Sequence, residues 1–204
     1  MATRTARHES DTPSRILDVA ERFVQRRGFN GFSYADVAKE LGITKPALHY
    51  HYAGKAELGE ALITRYASRF GDALREIDAT SAGALAKLEA YARLYEDVLR
   101  DKRMCLCGML AAEYQTLPDA MTKTVIRFFD DNERWLVGVL EQGRRDQSVR
   151  FAGGATDAAR MIVGALEGAM LVARPYGDID RFRSACTRLL ADLDSSDGSA
   201  RKNA

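Results

Sequence analysis

Between Ser33 and Tyr52 the chain starts and stops a helix twice, and few folds accommodate that. Ser33 stands three residues ahead of Asp36, the spacing at which a hydroxyl and an acidic side chain cap each other's backbone. Val37, Ala38 and Leu41 then share one face, and Gly42 breaks the helix after Leu41. Thr44 can cap a second, short helix, with Pro46 in the first turn, where its missing N–H costs nothing. That helix ends near His51 and is about 10 Å long at 1.5 Å per residue. Val37, Leu41, Ile43 and Leu48 supply the apolar contacts that fix the pair. The order is helix, glycine turn, short helix.

The rest of the chain continues in helical spacing. Val, Ile and Thr never cluster in alternating runs, prolines number only 4, and Ala, Leu, Arg and Glu dominate, so the expectation is an all-α protein. A polar, flexible arm of twelve residues with Arg4 and Arg7 precedes a helix from Pro13 to Arg27, striped by Ile16, Ala20, Phe23 and Val24 and stopped by Gly28. Further helices are expected over 55–77, around the stripe Leu88, Tyr91, Tyr95 and Val98, over 105–115, 118–142, 155–173 and 178–193. Pro175 and Gly177 separate the last two. About nine helices result, in an N-terminal three-helix helix-turn-helix domain (1–55), a connecting helix (55–78) and a C-terminal helical domain (79–194). The tail 195–204 is Ser-, Gly-, Asp- and Lys-rich and reads as disordered.

Charge separates the two parts modestly. Residues 1–55 carry 9 Lys/Arg against 6 Asp/Glu, and His8, His49 and His51 all lie there, which permits a polyanionic partner. The chain opens without a charged-then-apolar leader, and its longest apolar stretch, Met161 to Ala173, is short and interrupted by Glu167. Three cysteines argue against a disulfide framework, so a cytoplasmic protein is expected. No Ser/His/Asp, Cys/His or Glu-x-x-His arrangement occurs, so no catalytic residue, metal ligand or cofactor is assigned. A small all-α enzyme and a helical interaction module are the rival classes.

The short helix is suited to a major groove, which admits one α-helix. Lys45 can meet guanine edges or phosphate, while Thr44, His49, Tyr50 and His51 offer short, stiff donors. The four rings His49 to Tyr52 read as exposed, and Lys55 stands at a helix N-terminus that favours phosphate. The segments Gly28-Phe29-Asn30-Gly31-Phe32-Ser33-Tyr34-Ala35-Asp36-Val37-Ala38 and Leu41-Gly42-Ile43-Thr44-Lys45-Pro46-Ala47-Leu48-His49-Tyr50-His51-Tyr52 resemble the TetR family of repressors. The resemblance implies backbone contacts from Ser33, Thr44, Tyr50, His51 and Lys55, and base-edge positions at Lys45, Ala47 and His49, with Tyr34 in the same DNA-binding set. This chain departs from the family pattern at His49, where Tyr is common, at Tyr52, whose hydroxyl needs a partner, and at Gly54, which replaces a capping residue.

The C-terminal part holds no ligand code. Tyr91, Tyr95, Met104, Met109, Tyr114, Phe128, Trp135 and Met161 could line an apolar effector cavity, or could simply be core. Cys105 and Cys107 flank the start of a helix, where a thiol pKa can fall, so they are candidates for a redox or electrophile sensor or for buried structural cysteines. Gly164 and Gly168 permit close helix approach, and Phe182, Cys186 and Leu189 make a stripe on the last helix. Together they suggest a homodimer interface of four helices, with internal burial of the stripe as the alternative. The reading is a homodimeric repressor that binds double-stranded operator DNA and releases it on meeting a small organic or electrophilic effector.

Overall fold

The structure is a computed structural model that describes residues 3–194, with side chains from Thr12 onward. Among the described residues there are nine α-helices and no strand beyond one isolated bridge, Val149 to Asp194. The chain forms two compact units, residues 1–68 with 106–126, and residues 69–105 with 127–204. The expected tail at 195–204 lies outside the described residues.

In the first unit, α1 (Thr3–Arg27) packs on α2 (Tyr34–Leu41) and on α6 (Leu106–Ala112), and α2 packs on α3 (Lys45–His51). Ile16, Ala20 and Val24 form the buried stripe of α1. That helix begins ten residues before Pro13, where a flexible arm was expected. A proline removes one backbone donor from a helix without forbidding a turn on its N-terminal side, so Pro13 marks no boundary here. α4 (Lys55–Thr80) is tied to α1 by Arg65. The Arg65 guanidinium meets Asp18 at 2.8 Å and Glu21 at 3.1 Å and donates to the carbonyl of Ser14.

In the second unit the end of α4 joins α5 (Ala84–Arg100), the distal part of α7 (Asp119–Arg145), α8 (Ala155–Tyr176) and α9 (Ile179–Leu193). α8 and α9 pack on each other and both pack on α5. α8 runs through Pro175 and closes at Gly177, which takes the left-handed conformation at φ 60°. In the last turn, Pro175 forfeits a single bond, so it does not end the helix. Arg150 N–H donates to the carbonyl of Leu193 at 2.8 Å and fastens the loop after α7 to the end of α9.

Candidate DNA interface and effector region

The helix-turn-helix is built by its caps. Ser33 Oγ accepts from Asp36 N–H, and Asp36 Oδ2 accepts in return from Ser33 N–H at 2.7 Å. Gly42 takes φ 67°, with its own N–H donating to Lys39 and that of Ile43 to Ala38, the paired bonds that close a helix on a left-handed residue. Thr44 Oγ1 accepts from Ala47 N–H and starts α3. Leu48 is the one fully buried side chain of α3, and it anchors the helix to the unit. Thr44, Lys45, His49 and Tyr50 are exposed, Tyr50 at 86%. His51 is half-buried and meets the Tyr50 ring edge-on, and Ala47 is half-buried.

Three side chains in this set are used inward. Tyr52 is buried and is not a fourth exposed ring. It lies four residues after Leu48, on the same helix face, and its hydroxyl donates to the carbonyl of Pro13. Tyr34 is half-buried, donates its hydroxyl to the carbonyl of Tyr52 at 3.0 Å, and packs on His49 with ring centroids 4.7 Å apart. Burial pushes the Tyr34 phenol up to about 12, so it stays a donor. Lys55 does not reach outward: its ammonium donates to the carbonyl of Phe32 and sits over the rings of Phe29 and Phe32 at 4.7 and 4.4 Å. Partial burial there lowers its pKa. The N-terminus of α4 already holds a carboxylate, because Glu57 accepts from Ala53 N–H. His49 Nδ1 is 3.0 Å from the carbonyl of Ala53. A carbonyl only accepts, so Nδ1 carries a proton and Nε2 is left for an external partner.

The loop between α1 and α2 is gripped from a distant part of the sequence. The Glu113 carboxylate accepts from the backbone N–H groups of Phe29 and Asn30, and Asn30 Nδ2 donates to Thr116 Oγ1 at 2.7 Å. Gly28 is required for two reasons: its φ is 83°, and a Cβ there would lie 2.7 Å from a Glu113 oxygen. Glu113→Ala leaves both amides without this partner and is expected to cost about 1–3 kcal/mol. Thermal unfolding should then fall by roughly 2–12 °C. An unchanged melting point would show that the grip contributes nothing.

In the second unit, Tyr91, Tyr95 and Phe128 are brought together in the core around Phe70, and Trp135 stacks on Tyr91 with centroids 5.5 Å apart. Met104 is buried in the same unit. Three expected cavity residues do not belong with them. Met161 is 47% exposed, on the face of α8 that also carries Gly164 and Gly168. Tyr114 is exposed in a 3-10 turn (Tyr114–Thr116), and Met109 lies in α6, both in the first unit.

Cys105 and Cys107 are 2% and 0% exposed, and neither is in a disulfide. The Cys105 thiol donates to Glu167, so the helix start holds a buried, hydrogen-bonded S–H, a poor setting for reaction with oxidants. Phe182 and Cys186 are buried within the protomer, in which α9 packs on α8 and α5, and are not open to a partner. A helical stripe tells that a face is buried and is silent on whether it meets its own chain or another. Sequence reasoning missed the grip of Glu113 on the loop between α1 and α2 and the contact of Glu167 with the Cys105 thiol. For Glu167 the signal was an acidic residue inside the longest apolar stretch.

An exposed short helix seated by one leucine behind a capped glycine turn defines a helix-turn-helix protein. Residues 16–62 match the profile of "Bacterial regulatory proteins, tetR family", and residues 84–189 match "Tetracyclin repressor-like, C-terminal domain". The chain belongs to the TetR family. It is similar to the HTH-type transcriptional regulator TtgR of Pseudomonas putida, at 36% identity over 63 residues, 31% of this chain and 30% of TtgR. The aligned stretch thus spans under a third of that relative's length. It is also similar to the crystal structures of a TetR-family regulator from Agrobacterium tumefaciens (29% identity, TM-score 0.88, 91% of this chain and 99% of that one) and of a TetR regulator from Legionella pneumophila (30%, 0.79, 90% and 97%). Among the described residues no helix is long and apolar enough to cross a membrane, and no group of three His, Cys, Asp or Glu could hold a metal.

Proposed function

We propose that the protein is a homodimeric repressor that holds operator DNA through α3 and releases it when a small molecule binds the second unit. The observation that carries this reading is the exposure of Lys45, His49 and Tyr50 on a helix whose buried contact is Leu48. Ser33 and Thr44 flank them with exposed hydroxyls for the phosphate backbone. Residues 1–55 act as the DNA-binding part, α4 as the connection, and 79–194 as the effector and dimer part, in the cytoplasm where the chromosome lies.

Support for the dimer comes from α8. Met161, Gly164, Ala165, Gly168, Leu171, Val172 and Tyr176 recur at helical spacing and are all exposed, with no charge among them. Leu171, Val172 and Tyr176 are 60, 59 and 63% exposed. Such a stripe is costly to leave in water, and a second α8–α9 pair across a two-fold axis covers it. A groove of about 550 Å³ lined by Ala169, Val172, Arg181 and Ala185 runs alongside, and half-buried Leu189 lies further along α9.

The test is binding to the DNA upstream of the protein's own gene across a salt series. Affinity should fall steeply, with a log–log slope near −0.9 per phosphate contacted. Lys45→Ala is expected to weaken binding by about 1–3 kcal/mol and either to relax base preference or to reduce the salt slope by about 1. Equal affinity for Lys45→Ala and the parent protein would remove α3 from the interface.

A further inference from the structure

The two ring nitrogens of His49 have different work. Nδ1 lies 3.0 Å from the carbonyl of Ala53. A carbonyl has no proton to give, so a neutral ring carries its proton on Nδ1 and keeps a lone pair on Nε2. The residue that supplies the carbonyl is itself held, because Ala53 N–H donates to the Glu57 carboxylate at 2.8 Å. The ring also packs on Tyr34, with centroids 4.7 Å apart. Tyr34 gives it no proton, since the Tyr34 hydroxyl donates to the carbonyl of Tyr52. His49 therefore offers DNA an acceptor nitrogen on a fixed ring. Lys45 stands one turn earlier, is exposed like His49, and carries only donors. Base edges in the major groove divide along the same line. Adenine N6 and cytosine N4 are amines that donate, while guanine O6 and thymine O4 accept. An acceptor nitrogen gains a bond from an amino base and meets repulsion from a keto base. A phenol in this place would distinguish neither, because it both donates and accepts.

We propose that His49 determines part of the operator sequence: its Nε2 accepts from the exocyclic amine of an adenine or cytosine at one position of each half-site, on the strand it faces. This deepens the repressor reading and rests on it for the placement of α3 in the major groove. A guanine or thymine at that position sets oxygen lone pairs against the lone pair of Nε2 and is selected against. The carbonyl of Ala53 and the ring of Tyr34 are what hold the selection in place, because they fix which nitrogen faces the base.

The experiment has two readouts on the full-length protein, both at about pH 8, the upper end of the range in which imidazole changes charge. The first needs no DNA. Nitrogen NMR of histidine-labelled protein, with the His49 signals assigned by their loss in His49→Ala, should show a protonated Nδ1 and a bare Nε2. A proton on Nε2 overturns the inference. The second is fluorescence anisotropy on the upstream DNA, in which each adenine is replaced in turn by purine and each cytosine by pyrimidinone, nucleosides that lack the amine. One such replacement per half-site should weaken the parent protein by about 2- to 10-fold, the worth of one hydrogen bond, and leave His49→Ala unaffected. His49→Lys, which only donates, should prefer guanine at that same position. Equal losses in the parent and His49→Ala at every position overturn the inference, as does a parent preference for guanine at the position where His49→Ala shows none. If Lys45→Ala weakens binding while every amine replacement is silent, the acceptor role falls and the repressor stands. Binding no tighter than to unrelated DNA overturns the repressor reading and the inference together, whatever the tautomer.

Discussion

Val172→Arg is expected to yield a folded monomer that no longer recognises its DNA. Val172 is 59% exposed, and the glycines on its face, Gly164 and Gly168, have open space where a Cβ would stand, so an arginine fits a single protomer without clash. In the proposed dimer each protomer buries one such arginine, because a two-fold interface repeats every substitution. Each unpaired buried charge costs about 3–5 kcal/mol, and there are two. At 1.4 kcal/mol per tenfold, dimerisation should weaken by roughly four orders of magnitude or more. A monomer presents one recognition helix to one half-site, so specific affinity falls toward the non-specific level, a loss of roughly 10³-fold or greater. Sedimentation velocity and fluorescence anisotropy read the two effects. A dimeric Val172→Arg would place the interface elsewhere.

Glu167→Gln is expected to stabilise the protein above neutral pH. Burial pushes the Glu167 carboxyl up to about 7 from 4.5, against a smaller lowering by the Cys105 thiol. Its folded-state value lies above its unfolded one, so folding takes up a proton between those two pH values. The stability this group contributes is fully present below pH 4.5 and is lost as pH rises through about 7. The difference is worth about 3 kcal/mol at 1.36 kcal/mol per pH unit. Gln carries no charge and escapes the loss, so its melting temperature at pH 8 should exceed the parent's by roughly 6–12 °C and the gap should close below pH 4.5. Parallel pH–stability curves for the two proteins would contradict the burial of the charge.

Much of this could be read from the residues. The caps at Ser33 and Asp36, at Gly42 and at Thr44 are local chemistry, and each starts or ends the helix it was expected to. Leu48 and Tyr52, four apart, carried the signal that Tyr52 turns inward, and the run of aromatic residues obscured it. Met161 shares its spacing with Gly164 and Gly168, which places it on the exposed face of α8 and not in the core. Other features left no local trace. Glu113 grips Phe29 and Asn30 from a distant stretch of chain, and the register of α6 against α1 decides that contact. Lys55 has a basic side chain suited to phosphate, yet two phenylalanines and a carbonyl within reach capture it. Phe182 and Cys186 lie on the stripe that was expected, but the protomer's own helices bury them before a partner could.

An α3 seated in the major groove covers guanine N7, which lies in that groove. Protection of the upstream DNA from methylation at N7 therefore tests its placement most directly. The dimer should protect two patches, centred about 10 base pairs apart or a multiple of that, with Lys45→Ala needing a higher protein concentration to protect both. Bound DNA whose guanine N7 atoms all react as in the free duplex would contradict it.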